Sequence, residues 1–163
     1  MTRILALSAF LMLSACALTP MYAGGSSGAV AQGLAGVRVA PIEGQAGWLV
    51  RNALNDRLQA GSETSPRYRL DVLLDDDLES LGLVNDDTVS RERRTLRARY
   101  QLIEIASGTV LLDATAGSDA GVDVVRSDYA TIAAEQTALE NLAKVVADRM
   151  VTRIALTLRE GGE

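Results

Sequence analysis

The spacing of apolar residues changes along this chain. Segments in which every second residue is apolar predict strands, and segments in which apolar residues recur every three or four positions predict helices. Residues 37–41 alternate and end at a proline, which predicts a short strand. From Val50 the apolar positions recur at spacings of three and four residues, through Leu54 to Leu58, which predicts an amphipathic helix. Trp48 precedes this stripe and is predicted to be a core residue, with an interface anchor as the alternative.

Three segments with apolar even-numbered positions follow the first helix. Residues 68–75, 91–102 and 110–116 alternate with period two, so each predicts a strand with one buried face. Ala106-Ser107-Gly108 lies between the last two segments and carries turn-forming residues. We therefore expect these two strands to form a hairpin.

The C-terminal part of the chain predicts one long helix. Ser127 or Asp128 is the expected N-cap. The apolar stripe that follows keeps helical spacing over about 45 Å at 1.5 Å per residue, and comprises Ile132, Leu139, Leu142, Ala143, Val146, Met150, Ile154 and Leu158. The resulting order, β-α-β-β-β-α, favours an α+β two-layer sandwich in which two helices pack on a four-stranded sheet.

The N-terminus has the pattern of a bacterial lipoprotein signal peptide. Arg3 precedes an apolar run over residues 4–13, which is too short for a helix that crosses a bilayer, since such a helix needs roughly 20 residues. Leu13-Ser14-Ala15-Cys16 then fits a lipobox, in which small residues precede a cysteine that is acylated. We expect residues 1–15 to be removed and Cys16 to become a lipidated N-terminus. Ala17 is not the aspartate that in many bacteria retains lipoproteins at the inner membrane, so the outer membrane, facing the periplasm, is the expected location.

The remaining chain is expected to hold one domain. Residues 21–36 are rich in Gly, Ser and Ala, so residues 16–36 are predicted to be a lipidated N-terminus and flexible tether, followed by a single α+β domain over residues 37–163. Cys16 is the only cysteine, so no disulfide is expected. The core must then be held together by packing.

Composition excludes several functions. The 16 basic residues are outnumbered by 21 acidic residues, for a net charge of −5, which argues against nucleic acid as a partner. The chain has no histidine, no glycine-rich phosphate loop and no nucleophile elbow, so we do not expect an enzyme. The acidic residues 75–79 and 86–87 lack EF-hand spacing and are predicted to form a solvated loop without metal. The lipid on Cys16 is the only non-protein group expected.

Four segments of the chain resemble one family. Residues 16–22, 68–72, 97–102 and 127–136 are similar, in this order, to the opening, second strand, third strand and C-terminal helix of LptE-type lipopolysaccharide-assembly lipoproteins. The resemblance implies a two-layer sandwich that acts as plug and assembly partner of the outer-membrane β-barrel LptD. It also implies a role in moving lipopolysaccharide to the outer leaflet. The alternative is an auxiliary lipoprotein of an ABC-type lipid-transport system, which has a similar lipobox, strand and helix-on-sheet domain.

A group of arginines gives the candidate binding site. The predicted register places Arg91, Arg93, Arg97 and Arg99 on the polar face of one strand, and Arg67 and Arg69 on the same face of the preceding strand. Guanidinium groups pair with phosphates, as in lipopolysaccharide, or with carboxylates that line a barrel. A third possibility is that acidic neighbours neutralise the arginines in ordinary surface ion pairs, each worth roughly 0 to 1 kcal/mol; these neighbours are Asp71, Asp75, Glu92 and Asp113.

Overall fold

The computed structural model describes residues 28–58, 65–81, 83–84, 88–89, 91–125 and 127–161. Its helices are α1 (Ala29–Ala35), α2 (Gly44–Leu58) and α3 (Asp128–Glu160). Its strands are β1 (Val37–Val39), β2 (Tyr68–Ser80), β3 (Leu83–Val84), β4 (Thr88–Val89), β5 (Arg91–Glu104) and β6 (Val110–Asp123). The predicted signal peptide (1–15) and Cys16 lie outside the described residues.

The strands β1, β2, β5 and β6 form one sheet in that order. β1 runs parallel to β2, whereas β2, β5 and β6 are antiparallel to their neighbours. The short strands β3 and β4 pair with each other between β2 and β5. The predicted α+β sandwich with a four-stranded sheet is confirmed, with α1 and the β3–β4 pair as additions.

The core lies between one face of the sheet and the helices. The even positions of β5, from Leu96 to Leu102, are buried, and they pack in one cluster with the stripe of α3, of which Leu139, Met150 and Ile154 are fully buried. Burying one such aliphatic side chain stabilises the fold by about 1.5 to 3 kcal/mol. All the helices of the described residues pack on this face, so none of them covers the other face of the sheet, here called the open face.

The turn between β5 and β6 and the start of α3 lie where the sequence predicted them. The β5–β6 hairpin turns where Gly108 adopts φ +71°, a left-handed conformation that glycine adopts without a steric penalty. Ser127 caps α3, because its side chain accepts a hydrogen bond from the Ala130 N–H at 3.4 Å.

No helix in the described part of the chain is both long and apolar enough to cross a membrane.

Residues 28–36 correct the prediction of a flexible tether. They form α1 and its caps, and Leu34 belongs to the buried core. A Cβ atom on Gly33 would lie 3.3 Å from Leu158 Cδ1, so the absence of a side chain lets α1 approach α3 closely. The small residues that indicated flexibility therefore serve close packing, and Val30 and Leu34, four residues apart, supply the apolar side of α1.

Two further predictions are wrong. Trp48 is 64% exposed on α2, because Gly47 and Val50 take the buried positions beside it. The acidic residues 75–79 are not a loop, since β2 continues to Ser80, while the acidic residues 86–87 of the same prediction lie outside the described residues. Two of these carboxylates, Asp75 and Glu79, lie opposite arginines on β5. A third, Asp76, accepts hydrogen bonds from Arg94. Opposite charges therefore offset the low strand propensity of aspartate.

Candidate functional site

The open face of the sheet displays the predicted arginines. Arg91, Arg93, Arg97 and Arg99, here called the arginine row, occupy alternate positions of β5 and are all exposed. β2 and β6 flank the row with carboxylates on the same face: Asp71, Asp75, Asp77 and Glu79 on β2, and Asp113, Asp119 and Asp123 on β6. The charges therefore form three bands, acidic, basic and acidic, across the sheet.

Part of the arginine row is paired with β6. Arg99 Nη2 lies 3.2 Å from Asp113 Oδ2, and Gln101 Nε2 donates to the same oxygen at 2.8 Å. The hydrogen bonds from Arg99 and then Gln101 lower the pKa of Asp113. Arg91 Nε lies 3.5 Å from Asp123 Oδ1. These contacts agree with the surface ion-pair interpretation for Arg91 and Arg99.

Glycines on β6 make room for the row. A Cβ atom on Gly117 would lie 3.2 Å from Arg97 Cγ, and one on Gly121 would lie 3.3 Å from Arg91 Nε. Both distances are tighter than ordinary contacts, so these arginines lean toward β6 and lie across its glycines. The row is thus held close to the sheet by its neighbours.

Arg93 and Arg97 differ from the other members of the row. Within the described part of the chain neither forms an ion pair, although Glu79 and Asp75 lie opposite them on β2. Arg97 also borders a surface cavity of about 250 Å³, which includes Leu73 and Arg99. These two arginines are the members of the row best placed to pair with an external group.

The two arginines predicted on β2 lie apart from the row. Arg69 Nε donates to Asp71 Oδ1 on its own strand at 3.0 Å, and its partner across the sheet is Ile103. Arg67 precedes β2, and its guanidinium lies 5.5 Å from the Tyr68 ring centroid, beside α1 and the C-terminal end of α3. The structure therefore brings together four of the six predicted arginines.

Leu73 is the open-face residue that the sequence analysis missed. Its side chain is 73% exposed, and Arg99 lies opposite it on β5. An apolar residue at an odd position of β2 breaks the alternation that defines the polar face, and this signal was available in the sequence. A single exposed leucine is common on protein surfaces, so Leu73 adds an apolar contact point to the open face without defining a site by itself.

Arg94 lies on the opposite face and has a structural role. Its Nε and Nη2 atoms donate to the two carboxylate oxygens of Asp76 at 2.9 and 2.7 Å, and Nη1 donates to the Glu135 carbonyl at 3.1 Å. The hydrogen bond to Asp76 raises the pKa of Arg94. Arg94 therefore joins β2, β5 and α3, and it is not available at the open face.

Solved structures of three bacterial lipoproteins share this architecture. The chain is similar to a candidate lipoprotein from Caulobacter crescentus CB15, with a TM-score of 0.67 and 21% identity over 80% of this chain and 96% of that one. It is also similar to rare lipoprotein B from Shewanella oneidensis, with a TM-score of 0.56 and 13% identity over 78% and 97%. A minor lipoprotein from Acinetobacter baumannii gives 0.56 and 13% over 74% and 88%. At sequence identities this low, the structural similarity shows a shared fold and not a shared function.

The fold therefore places the chain in a structural class: it is an α+β domain like those of these three lipoproteins. The model of the lipopolysaccharide-assembly family, LptE, matches residues 34–154. The chain belongs to this family, whose members are outer-membrane-associated lipoproteins that serve lipopolysaccharide assembly. No curated protein matches the sequence.

Proposed function

We propose that this protein is a lipid-anchored, periplasm-facing outer-membrane lipoprotein that plugs an LptD-type β-barrel and helps to assemble it for lipopolysaccharide export. The observation that carries this proposal is the family match over residues 34–154. The lipobox at Cys16 supports the anchor, although Cys16 lies outside the described residues. We infer no cofactor apart from this lipid.

The open face of the sheet is our proposed contact with the barrel. It is not covered by a helix of the described chain, and it offers Arg93, Arg97 and the exposed Leu73. Carboxylates flank the arginine row on both sides, so the face lacks a broad positive field that would attract a polyanionic lipid. This banding favours a protein wall with complementary charges over direct contact with lipopolysaccharide.

Co-purification tests the function. The C-terminally tagged protein is extracted from outer membranes in detergent, and its companions are identified by mass spectrometry. A stoichiometric large β-barrel is the expected result. Subunits of a transport system without a barrel would instead indicate the auxiliary lipoprotein of an ABC-type lipid-transport system.

A pair of double variants tests the contact surface in the same assay. We expect Arg93→Glu with Arg97→Glu to reduce barrel recovery several-fold, because these arginines form no ion pair among the described residues and the reversed charges would meet like charges on the barrel. The control is Arg51→Glu with Arg159→Glu, two exposed arginines on helices. Wild-type barrel recovery with both double variants would show that the open face is not the contact.

A further inference from the structure

A second cationic site lies on the helix side of the sheet, along the free edge of β6. β6 is the last strand in the sheet order, so one of its edges has no strand partner in the described chain. α3 lies alongside this edge and leaves a cleft of about 450 Å³. The cleft contains Arg149 and Arg153 from α3, and its other lining comes from Tyr100 and residues 114–117.

Neither arginine is neutralised by a carboxylate of the described residues. They are four residues apart on one helix, a spacing at which like charges repel each other. The positions three and four residues before and after each of them hold no carboxylate. No carboxylate of the described residues lines the cleft or forms an ion pair with either guanidinium. Ion pairing within the described fold therefore does not account for two positive charges at neighbouring positions of the helix.

The surroundings hold both guanidiniums at the cleft. Arg149 Nη1 donates to the carbonyl oxygen of Gly117 on β6, which fixes that side chain across the cleft. Arg153 lies near the buried Tyr100. Burial raises the pKa of the Tyr100 phenol, and the positive charge of Arg153 opposes this rise. Both arginines otherwise reach solvent, so an incoming anion can approach them.

We propose that this cleft binds a phosphate monoester group between Arg149 and Arg153. One bidentate arginine occupies both oxygens of a carboxylate, whereas the terminal oxygens of a phosphate can accept hydrogen bonds from both guanidiniums. A monoester also carries a charge of about −1.5 to −2 at pH 7, which matches the two cations. The group comes either from a free phosphate compound or from a lipid headgroup. The site is separate from the open face and needs no barrel partner.

The test is a titration of the purified protein in dodecylmaltoside micelles, followed by the amide signal of Gly117 in a two-dimensional NMR spectrum. The probes are inorganic phosphate, and micelles doped with either phosphatidic acid, a monoester, or phosphatidylglycerol, a diester. We expect saturable shifts with phosphate and at least a tenfold weaker affinity in Arg149→Gln with Arg153→Gln. Arg51→Gln with Arg159→Gln, which also removes two exposed positive charges from helices, is the matched control and should bind like the wild type.

The pH dependence sharpens this test because the chain has no histidine. A phosphate monoester has a second pKa of about 6, and inorganic phosphate likewise carries more negative charge at pH 7.5 than at pH 5.5. Inorganic phosphate should therefore bind more weakly at pH 5.5 than at pH 7.5, while sulfate should bind equally at both. Tighter binding of phosphatidic acid than of inorganic phosphate would identify a headgroup site, and the reverse order a site for free phosphate. The absence of saturable phosphate binding, or equal affinity in the double variant and the wild type, would overturn the proposal.

Discussion

Arg94 and Arg97 show how alternation along one strand separates an arginine bonded within the fold from one that is exposed on the open face. Arg94 faces α3 and is bonded to Asp76, with side chains only 15% and 24% exposed. Arg97 lies on the open face and forms no ion pair among the described residues. The alternation in the sequence predicted this division. It could not predict the partner of Arg94, because only the pairing of β2 with β5 brings Asp76 to the position diagonal to it in the sheet.

The difference between these two arginines is testable by substitution. We expect Arg94→Met to lower the free energy of unfolding by about 2 kcal/mol, because the Asp76 carboxylate loses two charged hydrogen bonds. Arg97→Met should change it by no more than about 0.5 kcal/mol. Urea unfolding followed by circular dichroism measures both values. Equal losses in the two variants would contradict the assigned roles.

At the scale of elements, α2 and α3 are joined at both ends of their contact. Gln45 Nε2 donates to Gln136 Oε1 at 2.8 Å, and Arg57 Nη2 donates to Asp148 Oδ2 at 3.0 Å. The two partners are separated by 91 residues in both pairs, so the helices run parallel. Arg57 also donates to the Ala53 carbonyl, which fixes its side chain on α2.

The Arg57–Asp148 pair predicts a change in stability with pH. Hydrogen bonding from Arg57 lowers the pKa of Asp148 below its ordinary value of 3.8. The pair therefore stabilises the fold fully above that value and loses its effect as the pH falls through the folded-state pKa. Asp148→Asn should cost about 0.5 to 1 kcal/mol at pH 7, since the carboxylate is largely exposed.

Urea unfolding of the wild type and Asp148→Asn between pH 7 and pH 2.5 measures this effect. The difference between the two proteins should be constant down to about pH 4 and shrink below it. A difference that instead persists unchanged at pH 2.5 would mean that the Asp148 charge does not stabilise the fold.

Helix α1 was the element that composition misassigned. Glycine and alanine are common both in linkers and at tight helix contacts, and only the partner surface on α3 distinguishes the two. Leu34 is 4% exposed in this contact. Leu34→Ala should therefore lower the free energy of unfolding by about 2 to 5 kcal/mol, whereas Arg38→Ala on the exposed side of β1 should change it little. No effect of Leu34→Ala in urea unfolding would restore the tether interpretation.

At the scale of the whole molecule, the order of elements and the buried faces were predictable, because each rests on periodicity within one segment. The sheet order was not, since the pairing of β1 with β2 depends on how α2 crosses between them. The length of β2 was also missed, because its acidic end is stabilised by β5 across the sheet. The arginine row followed from alternation within β5, whereas the Arg149 and Arg153 cleft requires β6 and α3 to meet.

The sheet order predicts how hydrogen exchange varies across the molecule. β5 pairs with β2 on one side and β6 on the other, and its apolar face is buried. The β5 amides should exchange only when the whole domain unfolds. In contrast, about half of the β6 amides point to the free edge, where the described chain offers no strand partner. Mass spectrometry of peptic peptides should therefore find residues 96–102 the slowest to exchange, with residues 112–118 faster and residues 29–36 faster still. If residues 112–118 exchanged as slowly as residues 96–102 in the isolated protein, the β6 edge would be covered, and the cleft beside it would not be open to an anion.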